Sequence, residues 1–137
     1  MSKRLFLYGV LRADIAQWDF LDGLGLGSPA LVSGRLYAIP GAARWYPAMI
    51  PTHDYAGVRV LGFVHDAAGL DIAAIDAFEG ADYERHSVTC HAVGDAGYRT
   101  AQAYCWTSPL PAEAAIIGHG NFGRWLAETG NSPLREA

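Results

Sequence analysis

Short runs of apolar residues, separated by glycine, proline and charged residues, recur along most of the chain. Runs of this length, bounded by turn-forming residues, are typical of β-strands. We predict strands over Lys3 to Tyr8, Ala30 to Ile39, Trp45 to Ile50, Val58 to Val64, Tyr83 to Ala92 and Tyr98 to Trp106. Pro47 and Pro51 mark the third of these as an edge or bulged strand, because proline cannot donate a hydrogen bond to a neighbouring strand.

Helical spacing of apolar residues predicts helices over Ala13 to Leu21, over Leu70 to Glu79 and around Phe122, Trp125 and Leu126. Gly80 follows the second of these segments directly and predicts that the helix ends there. Phe122 and Trp125 are expected to pack the C-terminal helix over the barrel that the strands form, or to form a contact in a homodimer. The pattern leaves both alternatives open.

Strands outnumber helices in this pattern and are joined by short turns, so antiparallel pairing is expected to dominate. Closing such a sheet removes its exposed edges, and the helices then cover it from outside. The sequence therefore predicts an α+β fold, a small mixed, mainly antiparallel β-barrel with flanking helices. No repeat, low-complexity tract or linker divides the chain, so residues 1–137 are expected to form a single domain.

The charge pattern argues against a nucleic-acid partner. The net charge is −4, and the lysines and arginines are scattered singly rather than gathered into a basic patch. No apolar run approaches the roughly 20 residues that a membrane-spanning helix needs. The apolar stretch at the N-terminus ends at Gly9, which is too short for a signal peptide. We therefore expect neither a nucleic-acid nor a membrane partner.

The two cysteines, Cys90 and Cys105, fall on the two strands of a predicted hairpin. If Cys105 lies opposite His86, Cys90 is about four residues further along its strand, or about 13 Å away. A disulfide needs Cα atoms within about 7 Å of each other, so two free thiols are expected. Free thiols are typical of a reducing compartment, which favours a cytoplasmic location.

No cofactor or metal is expected from the motifs. The glycine-rich segment Gly23 to Gly27 lacks the helix that follows the glycines of a dinucleotide-binding loop. Neither the cysteines nor the histidines have the spacing of a metal site.

Glu79 is a carboxylate on the apolar side of its predicted helix. At about 100° per residue, Glu79 lies only about 20° from the direction of Ile72, and Ile75 lies on the same side. The acid also occupies the last helical turn, where the helix dipole disfavours a negative charge. Both effects raise the pKa of a carboxyl group, and such a group can take up and return a proton. The alternatives are a frayed last turn, with Glu79 in solvent, or an ion pair with Arg85.

The loop after the first strand contains four consecutive candidate binding residues, Tyr8, Gly9, Val10 and Leu11. A glycine at this point lets a ligand approach the backbone closely. Successive amides ahead of a helix form an anion-binding concavity that suits a carboxylate. An ordinary turn between a strand and a helix remains the alternative.

Four segments of the chain together resemble γ-glutamylcyclotransferase-like proteins. The segment FLYGVLR, from Phe6 to Arg12, resembles their opening YG(S/T)L(K/R) motif, and IDAFEGADYER, from Ile75 to Arg85, is similar to their LDxxEGxxYxR segment. Leu36-Tyr37 with Tyr46 to Ile50, and Val60 to Val64, resemble two further signatures that lie between them. The pieces occur in the family's order over about residues 4 to 106.

The resemblance implies a mixed barrel of five or six strands with a cavity at one end. It implies that Glu79 is catalytic and that the backbone of Tyr8, Gly9, Val10 and Leu11 holds the α-amino acid end of a γ-glutamyl substrate. Val10 departs from the family's serine or threonine, so a hydroxyl contact is missing while the amides remain. Tyr83 follows Glu79 closely and is the further candidate for substrate contact.

The implied reaction converts a γ-glutamyl amine or amino acid to 5-oxoproline and the free amine, with Glu79 as general acid and base and without a cofactor. Two alternatives remain open on the same fold. One is a non-catalytic module that binds γ-glutamyl ligands. The other is an enzyme that removes a γ-glutamyl group from a larger molecule, which predicts an open cavity mouth.

Overall fold

The computed structural model describes residues 4–9, 27–41, 45–52, 59–94 and 97–131. Within these ranges the elements are β1 (Arg4–Leu7), β2 (Ser28–Pro40), β3 (Trp45–Pro51), β4 (Arg59–Asp66), α1 (Ile72–Glu79), β5 (Tyr83–Ala92), β6 (Tyr98–Trp106), β7 (Ala115–Ile116) and α2 (Phe122–Thr129). The predicted helix over Ala13 to Leu21 and the glycine-rich segment up to residue 26 lie outside the described residues.

Five strands form a closed ring in the order β2-β4-β1-β6-β5, and β5 pairs with β2 to complete it. The closing pairs are Ala30 with Ala92 and Leu31 with His91. The strands β1 and β6 run parallel, and the other neighbours in the ring are antiparallel. The prediction of a mixed, mainly antiparallel β-barrel with flanking helices is confirmed.

The long strand β2 serves two sheets. Its first half, Ser28 to Ser33, pairs with β4 inside the barrel, whereas Gly34 to Pro40 pairs with β3 outside it. Among the described strands β3 pairs with β2 alone, so its prediction as an edge strand is confirmed. The two-residue strand β7, on the other side of β2, is too short to show a pattern and was not predicted.

The core fills the barrel and continues under both helices. Leu5, Phe6 and Leu7 are all buried, so the side chains on both faces of β1 are covered by the core. Ile75 of α1 and Phe122 of α2 are each completely buried and fix the helices to the barrel. Both helices span eight residues, and within the described ranges no helix is long and apolar enough to cross a membrane.

The C-terminal helix α2 packs against the strands, at β3, which is the first of the two predicted alternatives. The rings of Trp125 and Trp45 meet edge to face with centroids 5.2 Å apart, and Phe122 stacks on Trp125. The homodimer contact remains a prediction.

The hairpin of β5 and β6 has the predicted bounds but a different register. Cys105 lies opposite Glu84, not His86, because the turn is closed by a hydrogen bond from the amide of Ala92 to the carbonyl of Gly97. Cys90 therefore lies six positions from the residue opposite Cys105, further than predicted. Both cysteines are free and buried.

Candidate functional site

A cavity of about 160 Å³ lies between the end of β1, the strand β3, the last turn of α1 and the start of β5. Its lining consists of Phe6, Leu7, Tyr8, Gly9, Tyr46, Pro47, Phe78, Glu79, Asp82, Tyr83 and Tyr104. The predicted site residues Tyr8, Gly9, Glu79 and Tyr83 are thus brought together around one space. Val10 and Leu11 lie outside the described residues.

The helix α1 directs Glu79 into this cavity. The carboxylate of Asp71 caps the first turn by accepting a hydrogen bond from the amide of Ala74 at 3.3 Å. At the other end Gly80, with φ of 81°, donates its amide to the carbonyl of Asp76 and stops the helix. The helix therefore stays regular through Glu79, and the alternative of a frayed last turn is not observed.

The carboxyl group of Glu79 is held in an environment that favours its neutral form. Burial raises the pKa of Glu79 to about 8, and the nearby charge of Asp76 adds to the effect. Among the residues that the structure describes, none forms an ion pair with Glu79. The alternative pairing with Arg85 is wrong, because the guanidinium group of Arg85 binds Asp76 instead.

Tyr8 connects the end of β1 to β6 and β3 through hydrogen bonds. Its hydroxyl donates to the carbonyl of Tyr104 at 2.5 Å and accepts from the amide of Met49 at 3.3 Å. Burial, with a smaller contribution from Glu79, raises the pKa of Tyr8 well above its ordinary value. The phenol therefore stays neutral and presents its ring to the cavity.

Gly9 is needed for the close approach of the loop to β3. A Cβ atom at this position would lie 1.9 Å from Cγ of Pro47 and 3.0 Å from two other ring atoms of the same proline. The absence of a side chain thus allows the backbone after β1 to form the wall of the cavity.

Aromatic rings form the side of the cavity next to Pro47. The hydroxyl of Tyr83 donates to the carbonyl of Pro47, which ties β5 to β3. Behind this contact Trp106 meets Tyr83 edge to face, with centroids 5.2 Å apart, and tilts against Tyr46 at 6.1 Å. Because the Tyr83 hydroxyl is already used as a donor, Tyr83 offers a ligand mainly its ring.

A hydrogen-bonded network beside Glu79 was missed by sequence reasoning. Asp76 accepts from Arg85 at 3.0 and 3.2 Å, one bond to each carboxylate oxygen, and from the hydroxyl of Tyr104 at 2.6 Å. Arg85 also donates to the side chain of Gln102. The bonds from Arg85 and Tyr104 hold the pKa of Asp76 below its ordinary value. The available signal was the spacing of Asp76, one turn before Glu79.

The charged side chains in the described lining are both acidic. They are Glu79 and Asp82, and Asp82 lies exposed at the rim, where it accepts a hydrogen bond from Ser108 at 2.6 Å. Such a lining favours a ligand group with a positive charge, such as an ammonium group. Within the described ranges no group of three or more histidine, cysteine, aspartate or glutamate residues could hold a metal ion.

The closed mixed barrel of five strands with two flanking helices is the α+β fold of γ-glutamylcyclotransferase-like proteins. The sequence model of the family described as gamma-glutamyl cyclotransferase, AIG2-like, matches residues 5–126. The chain belongs to this family. No curated protein matches the sequence significantly.

Solved structures with the same fold come from several organisms. YkqA from Bacillus subtilis superposes with a TM-score of 0.71 at 22% identity, over 95% of this chain and 43% of that protein. An AIG2-like protein from Mus musculus gives 0.64 at 17% identity, over 88% of both chains. Allophanate hydrolase from Kluyveromyces lactis gives 0.76 at 14% identity, over 94% of this chain and 22% of the enzyme. The chain thus spans less than half of two of these proteins, and the likenesses show the fold alone.

Proposed function

We propose that this protein is a cyclotransferase that converts a γ-glutamyl amine or γ-glutamyl amino acid to 5-oxoproline and the free amine. The observation that carries the proposal is the carboxyl group of Glu79, which lies at the cavity without an ion-pair partner among the described residues and has its pKa raised to about 8 by burial. A group that titrates near neutral pH suits proton transfer in both directions.

The reaction is an intramolecular aminolysis. The α-amine of the substrate attacks its own γ-carbonyl carbon, so a C–N bond forms and closes the lactam ring. The bond between that carbon and the leaving nitrogen breaks. Glu79, as carboxylate, accepts a proton from the α-ammonium group before the attack and delivers it to the leaving nitrogen as the bond to that nitrogen breaks. The attacking nitrogen gives up a second proton as the lactam forms, and Glu79 passes this proton to the released amine, which departs as an ammonium ion. The proton count balances, and Glu79 returns to its starting state.

Substrate binding is assigned to the loop after β1 and to the aromatic rings on the side of the cavity next to Pro47. Backbone groups of Tyr8 to Leu11 would hold the substrate's α-carboxylate, and Val10 contributes no hydroxyl to this contact. The rings of Tyr46 and Tyr83, together with the carboxylate of Glu79, favour the α-ammonium group by charge and by cation–π attraction. Holding both ends of the glutamyl group brings the amine next to the γ-carbonyl, which is the main requirement of the ring closure.

The test is a panel of γ-glutamyl amines and γ-glutamyl amino acids incubated with the purified protein, with 5-oxoproline measured by mass spectrometry. At least one substrate class is expected to give product with wild-type protein and none with Glu79→Gln. Calorimetry with the same compounds is run in parallel. Binding without product across the whole panel would contradict the proposal and favour a non-catalytic γ-glutamyl-binding module.

A further inference from the structure

We propose that Asp76 is a positioning residue for Glu79: through Arg85 and Tyr104 it ties the last turns of α1 to β5 and β6, and it keeps a fixed negative charge one helical turn from the Glu79 carboxyl group. The inference rests on the proposed role of Glu79. It adds a residue that is not among those lining the cavity.

The anchor comes from two different strands. Arg85 belongs to β5 and Tyr104 to β6, and together they donate three hydrogen bonds to the one carboxylate. The helix has only eight residues, and isolated helices of that length are unstable in water. Its position therefore depends on tertiary contacts, and Asp76 supplies polar ones next to the turn that carries Glu79. The buried side chain of Ile75, with Ile72 and Phe78 packed against the same core, supplies apolar ones.

The same network reaches Tyr8, where the loop after β1 begins. Tyr104 binds Asp76 through its hydroxyl, lines the cavity with its side chain and accepts the hydroxyl of Tyr8 at its backbone carbonyl. Asp76, Tyr104 and Tyr8 thus connect the helix, the barrel wall and the start of the loop in one chain of contacts. A shift of Asp76 is expected to disturb the proton-transfer group most and the residues after β1 less, because it reaches them only through Tyr104.

The charge of Asp76 is the second part of the inference. Residues three apart on a helix lie about 5–6 Å from each other, so the Asp76 carboxylate opposes ionisation of Glu79. Arg85 balances this charge in part. The other titratable groups around the cavity are Tyr8, directly after β1, Tyr46 in β3, Asp82 in the turn before β5, Tyr83 in β5 and Tyr104 in β6. Burial keeps the four tyrosines neutral, and Asp82 lies at the exposed rim.

The experiment compares Asp76→Asn with Arg85→Gln. The asparagine retains an acceptor oxygen for Tyr104 but removes the negative charge, so the titration midpoint of Glu79 is expected to fall by about half to one pH unit. The glutamine removes the balancing positive charge, so the midpoint is expected to move upward. The midpoint is read from the ¹³C chemical shift of the Glu79 carboxyl group by NMR, which requires no turnover. In the 5-oxoproline assay kcat of Asp76→Asn is expected to fall about tenfold, with KM changed less than about threefold.

Asp71→Asn is the matched control, because Asp71 lies on the same helix and asparagine caps a helix as well as aspartate does. It removes one carboxylate further from Glu79 and should leave the midpoint unchanged. Tyr104→Phe, which keeps every formal charge, separates the hydrogen bond from the charge if either first variant fails to fold. Its expected result is a lower kcat with an unshifted midpoint.

Unchanged Glu79 midpoints in Asp76→Asn and Arg85→Gln, or shifts equal to that of Asp71→Asn, would overturn the charge part of the inference. An unchanged kcat in Tyr104→Phe would overturn the anchoring part. If wild-type protein gives no 5-oxoproline, the NMR midpoints still decide whether Asp76 acts on Glu79, and the failure belongs to the proposed function.

Discussion

Asp76 and Glu79 lie one turn apart on the same short helix, yet the pKa values of their carboxyl groups are shifted in opposite directions from their ordinary values. Hydrogen bonds from Arg85 and Tyr104 lower the pKa of Asp76, whereas burial raises the pKa of Glu79 to about 8. The first carboxyl remains ionised at neutral pH and the second exchanges its proton there. Two acids separated in this way suit a fixed charge and a proton carrier respectively.

The first prediction concerns the pH dependence of activity. Because the carboxylate form of Glu79 accepts the proton, kcat/KM should rise with pH to a midpoint near 8, the pKa of Glu79 in the free protein. The midpoint for kcat should lie at lower pH, since a bound ammonium group stabilises the carboxylate. Rates of 5-oxoproline formation between about pH 5.5 and 9.5 provide the measurement. A flat profile over this range would remove Glu79 from the proposed mechanism.

The second prediction is the pH dependence of stability. Folding raises the pKa of Glu79 from an ordinary 4.5 to about 8, so the folded protein binds more protons than the unfolded chain within that window. The contribution of Glu79 to the free energy of unfolding is therefore largest below about pH 4.5, and it decreases as the pH rises to 8. The glutamine in Glu79→Gln does not titrate. As the pH rises from 4.5 to 8, the free energy of unfolding of this variant should therefore increase by on the order of 1–2 kcal/mol relative to that of wild type. Partial solvent contact of the side chain keeps the effect this small.

Urea unfolding of wild type and Glu79→Gln at pH 5 and pH 8.5 measures this difference directly. Subtracting the two proteins at each pH cancels the histidines and all other titrating groups. An equal difference at both pH values would mean that the Glu79 carboxyl is as accessible to water as in the unfolded chain.

The third prediction tests the close approach of Gly9 to β3. Gly9→Ala places a Cβ atom 1.9 Å from Cγ of Pro47, which forces the loop or the strand to move. We expect a loss of about 1–3 kcal/mol of stability and a clear rise in KM, since Gly9 itself lines the cavity.

Gly69→Ala is the control for this substitution. A Cβ atom at Gly69 meets nothing within 4 Å, so stability and KM should stay close to wild type. Thermal unfolding and substrate saturation curves of the two variants give both quantities. Equal behaviour of the two alanine variants would show that the contact with Pro47 relaxes without cost.

The fourth prediction separates the ring of Tyr83 from its hydroxyl. Tyr83→Phe leaves the carbonyl of Pro47 without its donor and should cost about 1 kcal/mol of stability. Ligand affinity should change little, because the ring remains at the cavity, whereas Tyr83→Ala should weaken binding several-fold more. Tyr98→Phe, at a position that is 71% exposed, is the control and should be neutral. Calorimetric affinities and unfolding curves check these expectations, and a large affinity loss in Tyr83→Phe would assign the hydroxyl to the ligand.

The register of the hairpin shows one limit of sequence reasoning. The bounds of β5 and β6 follow from their composition and from the turn residues between them. The pairing of Cys105 with Glu84 instead of His86 depends on which backbone groups close the turn, at Ala92 and Gly97. Turn residues mark where a hairpin bends, but several closures of the same loop satisfy them, and packing of the strands selects one.

The sequence alone determined what depends on local spacing. A period of about 3.6 residues places Glu79 on the apolar side of its helix whatever the helix packs against. The alternating and apolar runs similarly determined the strands, and Gly9 marked the point where a loop leaves the sheet. Tertiary structure decided the partners. Arg85 follows both Asp76 and Glu79 closely in the chain. Only the packing of α1 on β5 and β6 determines that Arg85 forms its ion pair with Asp76, while Glu79 lies at the cavity. Charge pairing depends on distances in space between separate elements, and these distances are not contained in the periodicity of any one of them.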